Sequence, residues 1–245
     1  MSNIVSCHGM TIGYGSDVLV QDLHFEVGAG QICAVVGPNG AGKSTFLKTI
    51  LGLQPALKGE VVWHGDGQPA KAYLGQRDEF DGHFPIRVRD LVTMGAWHGL
   101  GFWSHINHAK QQAVEEALAQ TQLTAIANQP LHECSSGQLQ RCLFARAIVQ
   151  DAPLLLLDEP FTAMDQATQA NLLGIIEQWR LQGKGQIIVL HDLHAVRALS
   201  DHVLLIGDGA SCFGPTSELL TTENLVRYGY YSATQAAWIE EELGS

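Results

Sequence analysis

One nine-residue segment constrains the fold more than any other part of the chain: GPNGAGKST, residues 37–45. It follows the apolar run QICAVV and precedes FLKTILGL, so the pattern predicts a buried strand, a glycine-rich turn and a helix. Glycines let the backbone curl so that successive N–H groups point inward, and the helix contributes the positive end of its dipole. We therefore predict a phosphate-binding loop (P-loop) rather than a simple turn.

The spacing Gly37-x-x-x-x-Gly42-Lys43-Ser44 gives the side chains of this loop separate tasks. Lys43 can reach the β- and γ-phosphates of a nucleotide, and the Ser44 hydroxyl can ligate Mg²⁺. The predicted nucleotide-binding set is Gly37, Pro38, Asn39, Gly40, Ala41, Gly42, Lys43, Ser44 and Thr45.

A second apolar strand, LLLLDEP at residues 154–160, ends in two carboxylates. Asp158 is placed to hold Mg²⁺ directly or through water, and Glu159 points to another side, where it can act as general base toward the attacking water. Taken alone, the segment is more typical of a core strand with a solvated acidic end. The P-loop upstream favours the catalytic interpretation.

The arrangement of strand and helix patterns predicts an α/β fold with a mainly parallel sheet. The opening is rich in strand patterns, helical patterns fill the middle, strands and helices alternate afterwards, and a strand pair with a polar tail closes the chain. We predict a single domain over residues 1–245, with a core formed by 1–86 and 151–245 and an inserted helical part at 87–150.

Composition limits the classes of protein that are possible. The chain has 245 residues, 46% of them hydrophobic and 16% charged, which is typical of a globular domain. Its net charge of −11 disfavours a nucleic-acid-binding surface. Five scattered cysteines fit a reducing compartment, and neither a signal peptide nor a membrane-spanning run is evident. We therefore expect a soluble, cytoplasmic chain that reaches a membrane only through a partner.

Four segments together resemble the ATP-binding subunit of an ABC transporter: Gly37–Thr45, Ser135–Gln138, Leu154–Pro160 and His191. The resemblance implies a P-loop NTPase core of the RecA-like type with an N-terminal antiparallel β subdomain and an inserted α-helical subdomain. It also implies ATP and Mg²⁺ as ligands, with hydrolysis to ADP and phosphate.

Further roles follow only from this resemblance. Tyr14 matches the aromatic residue that stacks on adenine, and Gln76 matches the Q-loop glutamine that contacts Mg²⁺ and senses the membrane partner. Asp165 matches the D-loop aspartate that communicates across a dimer, and His191 matches the switch histidine that contacts the γ-phosphate. The segment that acts on the partner subunit's ATP, the signature, comprises Ser135, Ser136, Gly137 and Gln138.

This signature reads CSSGQ, whereas the family's usual sequence is LSGGQ. Ser135 and Gln138 have the spacing of a helix capping box, which makes Ser136 the first helical residue, with an ordinary negative φ. A glycine is then not sterically required at Ser136, while Gly137 remains where close approach to phosphate matters. Cys134 replaces one small apolar side chain by another. We predict a working signature.

Two segments resemble the zinc- and manganese-type metal importers: QRDEFDGHFPIRVRDLVTMGAWHGLGFW and HDLHAVRALSDHVLLIGDGASCFGPTSELLTTENL. Importers of iron–siderophore complexes or cobalamin are the alternative within the family. The first segment is rich in apolar and aromatic groups, which suit either docking onto a membrane subunit or packing of the helical part. These groups are Phe84, Pro85, Trp97, Phe102 and Trp103.

The resemblance implies a head-to-tail homodimer on a separate integral membrane permease, served by an extracytoplasmic metal-binding protein. The chain would then lie on the inner face of the cell membrane, with no nucleic-acid partner. An ABC-type ATPase acting on DNA or ribosomes is a second possibility, which the acidic charge disfavours. An unrelated P-loop kinase would leave SSGQ and His191 unexplained. Histidine metal sites are disfavoured for want of further ligands; the candidates are His98, His105, His108, His191 and His194.

Overall fold

The computed structural model describes residues 2–65, 67–75, 86–97, 107–162, 164–232 and 234. Its strands are β1 (Asn3–Tyr14), β2 (Asp17–Gly28), β3 (Ile32–Val36), β4 (Val61–Trp63), β5 (Lys71–Leu74), β6 (Leu154–Asp158), β7 (Gly185–Val189), β8 (His202–Gly207) and β9 (Ala210–Pro215). Its α-helices are α1 (Lys43–Leu51), α2 (Val88–Thr93), α3 (His108–Gln120), α4 (Ser136–Gln150), α5 (Gln166–Leu181), α6 (Leu193–Leu199), α7 (Thr216–Leu219) and α8 (Thr222–Arg227).

The described strands form two sheets. A six-stranded sheet has the order β5-β6-β7-β3-β8-β9, parallel except for the antiparallel pair β8 and β9. A three-stranded antiparallel sheet has the order β2-β1-β4. The α/β fold with a mainly parallel sheet and an antiparallel β part is thereby confirmed.

The central strands β3, β6 and β7 of the six-stranded sheet are buried on both faces, which explains their unbroken apolar runs. Alternate residues point to opposite faces because the side-chain period of a strand is two. Cys33 and Val35 of β3 join a cluster with α1 and the antiparallel sheet, whereas Ala34 and Val36 join a cluster with the remaining large helices. The sheet is therefore the middle layer between the antiparallel sheet and the helices.

The helix that carries the predicted signature, α4, is fastened to the edge strand β5. The Arg146 guanidinium donates to the Tyr73 carbonyl at 2.8 Å, and the Gln150 amide donates to the Lys71 carbonyl at 2.7 Å. On its other side, the Phe144 ring stacks on Trp179 of α5, with the ring centroids 5.6 Å apart. These contacts join α4 both to the sheet and to the helix that follows β6.

The C-terminal region differs from the expected polar tail. Two short helices, α7 and α8, follow β9, and α8 is capped by the Thr221 side chain. Tyr228 is buried, and its carbonyl lies so close to Gly207 that a Cβ added there would be 1.7 Å from it. The polar composition had obscured these helices because only a few of their residues, Leu225 among them, are buried. No helix within the described part of the chain is long and apolar enough to cross a bilayer.

Candidate nucleotide-binding and catalytic site

The predicted P-loop connects β3 to α1 at the carboxyl edge of the parallel sheet. Gly37 has no room for a side chain, because an added Cβ would lie 2.0 Å from the Ile206 carbonyl oxygen. Gly42 occupies the N-cap of α1 with φ at 107°, a conformation that favours glycine, and it provides no side-chain cap. The first N–H groups of a helix lack partners within the helix. This loop and helix start can therefore receive an anion.

Lys43, the first residue of α1, lies over this loop. Its side-chain ammonium group donates to the carbonyl oxygens of Gly37 and Pro38, each at 2.9 Å. Burial lowers the pKa of Lys43, while the negative charges of Glu159 and Asp158 act in the opposite direction. The structure thus brings the lysine and both predicted carboxylates into one electrostatic environment.

Tyr14, the predicted adenine-stacking residue, lies at the end of β1 beside the start of α1. The buried Thr45 side chain donates to the Tyr14 hydroxyl at 3.1 Å, and 49% of the Tyr14 surface remains exposed. A half-exposed aromatic ring anchored next to a phosphate-binding loop can offer a face to a planar ligand.

The two carboxylates at the end of β6 have different environments. Asp158 is the last residue of the strand and is only 2% exposed. Glu159 has φ at 52°, which is unusual for a residue other than glycine and especially for one that precedes a proline. Its N–H donates to the Val189 carbonyl of the adjacent strand β7 at 3.3 Å. This left-handed turn directs Glu159 away from the line of the strand.

Glu159 and His191, the two predicted catalytic groups among the described residues, lie in direct contact. His191 follows β7, the neighbour of β6, and its Nε2 lies 2.7 Å from Oε1 of Glu159. The Thr162 hydroxyl donates to Oε2 of the same carboxylate at 3.4 Å. A cavity of about 220 Å³ adjoins the pair and is lined by Phe161, Gln169 and Ala195 among others. A carboxylate held from two sides is oriented to accept a proton from a neighbouring molecule.

The predicted signature begins helix α4 with the expected capping box. The Gln138 N–H donates to the Ser135 hydroxyl at 3.2 Å, and the Ser135 N–H donates to the Gln138 side-chain oxygen at 2.8 Å. Ser136 is the first helical residue, and its φ is negative, so the local geometry expected from the sequence is confirmed. Open space surrounds the position where a Cβ of Gly137 would lie.

Asp165 is the N-cap of α5. Its carboxylate accepts hydrogen bonds from the Thr168 N–H and the Thr168 hydroxyl, both at 2.8 Å, and these bonds lower the pKa of Asp165. In this chain, the side chain therefore stabilises the start of α5.

Several predicted residues lie outside the described residues: Gln76, Phe84, Pro85, His98, Phe102, Trp103 and His105. Trp97 is described and is 55% exposed. Within the described ranges, no cluster of three or more histidine, cysteine or acidic side chains could hold a metal ion.

Two contacts at the site were not anticipated from the sequence. Thr162, three residues after Glu159, touches its carboxylate, and the short spacing could have suggested this. Tyr230, near the C-terminus, donates its hydroxyl hydrogen bond to the carbonyl of His191. No local motif marks Tyr230, since its partner is 39 residues away in the sequence.

A P-loop at the carboxyl edge of a parallel sheet, with a carboxylate pair at the end of β6 in the same sheet, is typical of a nucleotide-binding ATPase. Residues 20–162 match the protein family described as ABC transporter. The chain belongs to this family and is an ATPase subunit of it.

The similarity to individual members extends over nearly the whole chain. The manganese transport system ATP-binding protein MntB of Listeria innocua is 36% identical over 238 residues, which cover 95% of this chain and 98% of that protein. The zinc transport system ATP-binding protein TroB of Treponema pallidum is 35% identical, covering 92% and 86%. Among solved structures, an inward-facing ABC transporter described as metal-chelate type matches with a TM-score of 0.82 and 29% identity, covering 94% of this chain and 90% of that one.

Proposed function

We propose that this chain hydrolyses ATP to drive uptake of a divalent metal ion, manganese or zinc, through a separate membrane permease. The observation that carries the hydrolytic part is the hydrogen-bonded pair of Glu159 and His191 beside the P-loop lysine. The proposed cargo rests on similarity to manganese and zinc transport proteins over more than nine-tenths of the chain.

We propose a separate role in ATP binding or hydrolysis for each of a few residues. Lys43 would exchange its bonds to the loop carbonyls for the β- and γ-phosphates of ATP. Glu159 would accept the proton of the attacking water, and His191 would orient Glu159 and contact the γ-phosphate. Tyr14 would stack on adenine. The P-loop residues from Gly37 to Thr45 would surround the phosphates with N–H groups.

The side chains present also fit Mg²⁺, which prefers oxygen ligands and is usually bound by carboxylates together with the phosphates of a substrate. Ser44 lies in the first turn of α1, and the buried carboxylate of Asp158 acts on the charge of the adjacent Lys43. We propose that Ser44, Asp158 and Gln76 hold the ion bound with ATP. The ion would supply charge neutralisation of the phosphates.

We further propose a head-to-tail homodimer in which the signature of one subunit completes the ATP site of the other. Ser135, Ser136, Gly137 and Gln138 lie at the start of α4, where Ser135 is exposed. The open space around Gly137 supports close approach of a phosphate from another chain. Asp165 at the start of α5 would communicate across the same interface. The proposed core (1–86 and 151–245) and helical part (87–150) would each contribute one side of it.

The membrane permease is proposed to dock beside the helical part, which would place the chain on the inner face of the cell membrane. The exposed Trp97 supports this placement, because large exposed aromatic rings are enriched at protein interfaces. An extracytoplasmic metal-binding protein would deliver the ion to the permease. The net charge of −11 supports a role without nucleic acid.

Reconstitution tests the proposal. We expect ATP hydrolysis by the chain and its permease in vesicles to be stimulated when the metal-loaded carrier protein supplies Mn²⁺ or Zn²⁺, and the vesicles to accumulate that ion. Fe²⁺ delivered in the same way is the comparison ion. Stimulation by a chelated iron complex or cobalamin alone would contradict the proposed cargo while leaving the ATPase assignment intact.

A further inference from the structure

The C-terminal segment, residues 228–232, follows α8 and is fixed next to the catalytic groups. The Tyr230 N–H donates to the Leu225 carbonyl at 2.8 Å, and the Tyr231 N–H donates to the same oxygen at 3.2 Å. The preceding Tyr228 is buried against Gly207 at the end of β8. Because the backbone is held at these points, the Tyr230 side chain has a defined position and is half-buried.

From this position Tyr230 reaches the residue that holds the catalytic carboxylate. Its hydroxyl donates a hydrogen bond to the backbone carbonyl of His191. The imidazole of His191 in turn lies 2.7 Å from the Glu159 carboxylate. Two successive hydrogen bonds therefore connect the C-terminal segment to Glu159.

The hydrogen bond from Tyr230 acts on the backbone of His191 itself. His191 lies in the short connection between β7, which ends at Val189, and α6, which begins at Leu193. Asp192 caps α6, and the Leu190 N–H donates to the Val35 carbonyl at 3.2 Å, so the connection is fixed before and after His191. A bond to the His191 carbonyl fixes the remaining peptide plane and thereby limits the directions of the imidazole ring.

We propose that Tyr230 is a positioning residue for ATP hydrolysis, which orients His191 so that its imidazole holds Glu159 in the reactive geometry. This inference rests on the proposed roles of Glu159 and His191. It adds a group from a region of the chain in which the sequence contains no recognisable motif, and it makes the C-terminal segment part of the catalytic apparatus.

The surroundings of Tyr230 favour the protonated phenol, the form that can donate a hydrogen bond. Burial raises the pKa of the Tyr230 phenol, and the neighbouring Tyr231 and Asp192 raise it further. The phenol therefore keeps its proton throughout the physiological pH range. The ring of Tyr231 packs edge-on against Tyr230, with the centroids 5.0 Å apart, which restrains rotation of the ring.

The test uses the full chain assembled with its permease and compares Tyr230→Phe with the unmodified protein. The variant retains the ring and loses only the hydroxyl. We expect kcat for ATP hydrolysis to fall about five-fold, as for loss of one orienting hydrogen bond, with KM for ATP unchanged. The thermal midpoint should fall by about 2–4 °C at most, because one lost hydrogen bond costs about 1 kcal/mol of stability. Tyr231→Phe is the matched control, because the Tyr231 hydroxyl has no hydrogen-bond partner among the described residues. The kcat of this variant should equal that of the unmodified protein.

A double-mutant cycle with His191→Ala separates positioning from a merely structural role. If Tyr230 acts through His191, adding Tyr230→Phe to His191→Ala should cause no further loss of kcat. An equal loss in both backgrounds would overturn the inference, as would a wild-type kcat in Tyr230→Phe. Full hydrolysis by His191→Ala would instead refute the proposed role of His191 and with it the inference. An inactive His191→Ala together with an unimpaired Tyr230→Phe would refute the inference alone.

Discussion

The two helices that we propose to face ATP, α1 and α4, begin in different ways. α1 begins after Gly42, whose left-handed backbone provides no side-chain cap. α4 begins after Ser135, which forms a reciprocal capping box with Gln138. The first N–H groups of α1 are thus available to a ligand. At the start of α4, part of the backbone N–H groups already donate to the side chains of the capping box.

This difference indicates how each of the two helix starts can contact the same nucleotide. The start of α1 forms part of the P-loop, where Lys43 is buried and donates to two loop carbonyls. The start of α4 forms its own side-chain hydrogen bonds and includes an exposed serine, so in the proposed dimer it could contact ATP held by the second subunit. Substitutions at the two starts should accordingly separate ATP binding from ATP hydrolysis.

The largest effect is expected from Gly137→Asp at the start of α4. Open space surrounds this position, so the variant should fold normally. A carboxylate placed there would repel the partner subunit's γ-phosphate, and we expect hydrolysis to fall by about 100-fold or more. Equilibrium binding of ATP to the isolated chain should stay unchanged. Hydrolysis near the wild-type rate would show that Gly137 does not approach the nucleotide.

Lys43→Ala at the start of α1 should give the opposite pattern. Loss of a charged phosphate partner should weaken ATP binding by about 30-fold, measured by titration calorimetry. Lys58→Ala provides a control, because Lys58 is an exposed residue outside the loop and its removal should not alter the affinity. Unchanged affinity in Lys43→Ala would contradict the role assigned to the P-loop.

Ser135→Ala tests the capping box itself. We expect the free energy of unfolding to decrease by about 1 kcal/mol, as for other lost N-caps. Asn107→Ala is a matched control, because Asn107 caps α3 by accepting from the Lys110 N–H at 2.9 Å. Both variants should lose similar stability in denaturant unfolding, but only Ser135→Ala should also lose hydrolysis. Equal activity of the two variants would reduce Ser135 to a structural cap.

The smallest effect is expected from Ser136→Gly, which restores the usual glycine of the family signature. Ser136 already has a negative φ as the first residue of α4, so glycine relieves no strain. Steady-state hydrolysis should change by less than about two-fold, with a stability loss below about 1 kcal/mol. A large gain in hydrolysis would show that the serine slows the reaction.

The sequence predicted those parts of the fold and site whose signals are local. The P-loop, the apolar strand before Asp158 and the capping box of Ser135 each lie within a few consecutive residues, and the structure has the expected elements at each. The turn geometry of Glu159 and the hydrogen bond from Tyr230 to His191 were not predictable in this way. The first depends on support from strand β7, and the second joins residues 39 positions apart.

The central claim is that two copies of this chain close around ATP and that Glu159 then drives its hydrolysis. Sedimentation of Glu159→Gln tests it most directly, because the amide cannot act as base while the remaining ATP contacts persist. We predict a stable dimer with ATP and Mg²⁺, a monomer with ADP, and a monomer under both conditions when Lys43→Ala is added. A monomer with ATP, or hydrolysis by Glu159→Gln at the wild-type rate, would contradict the account.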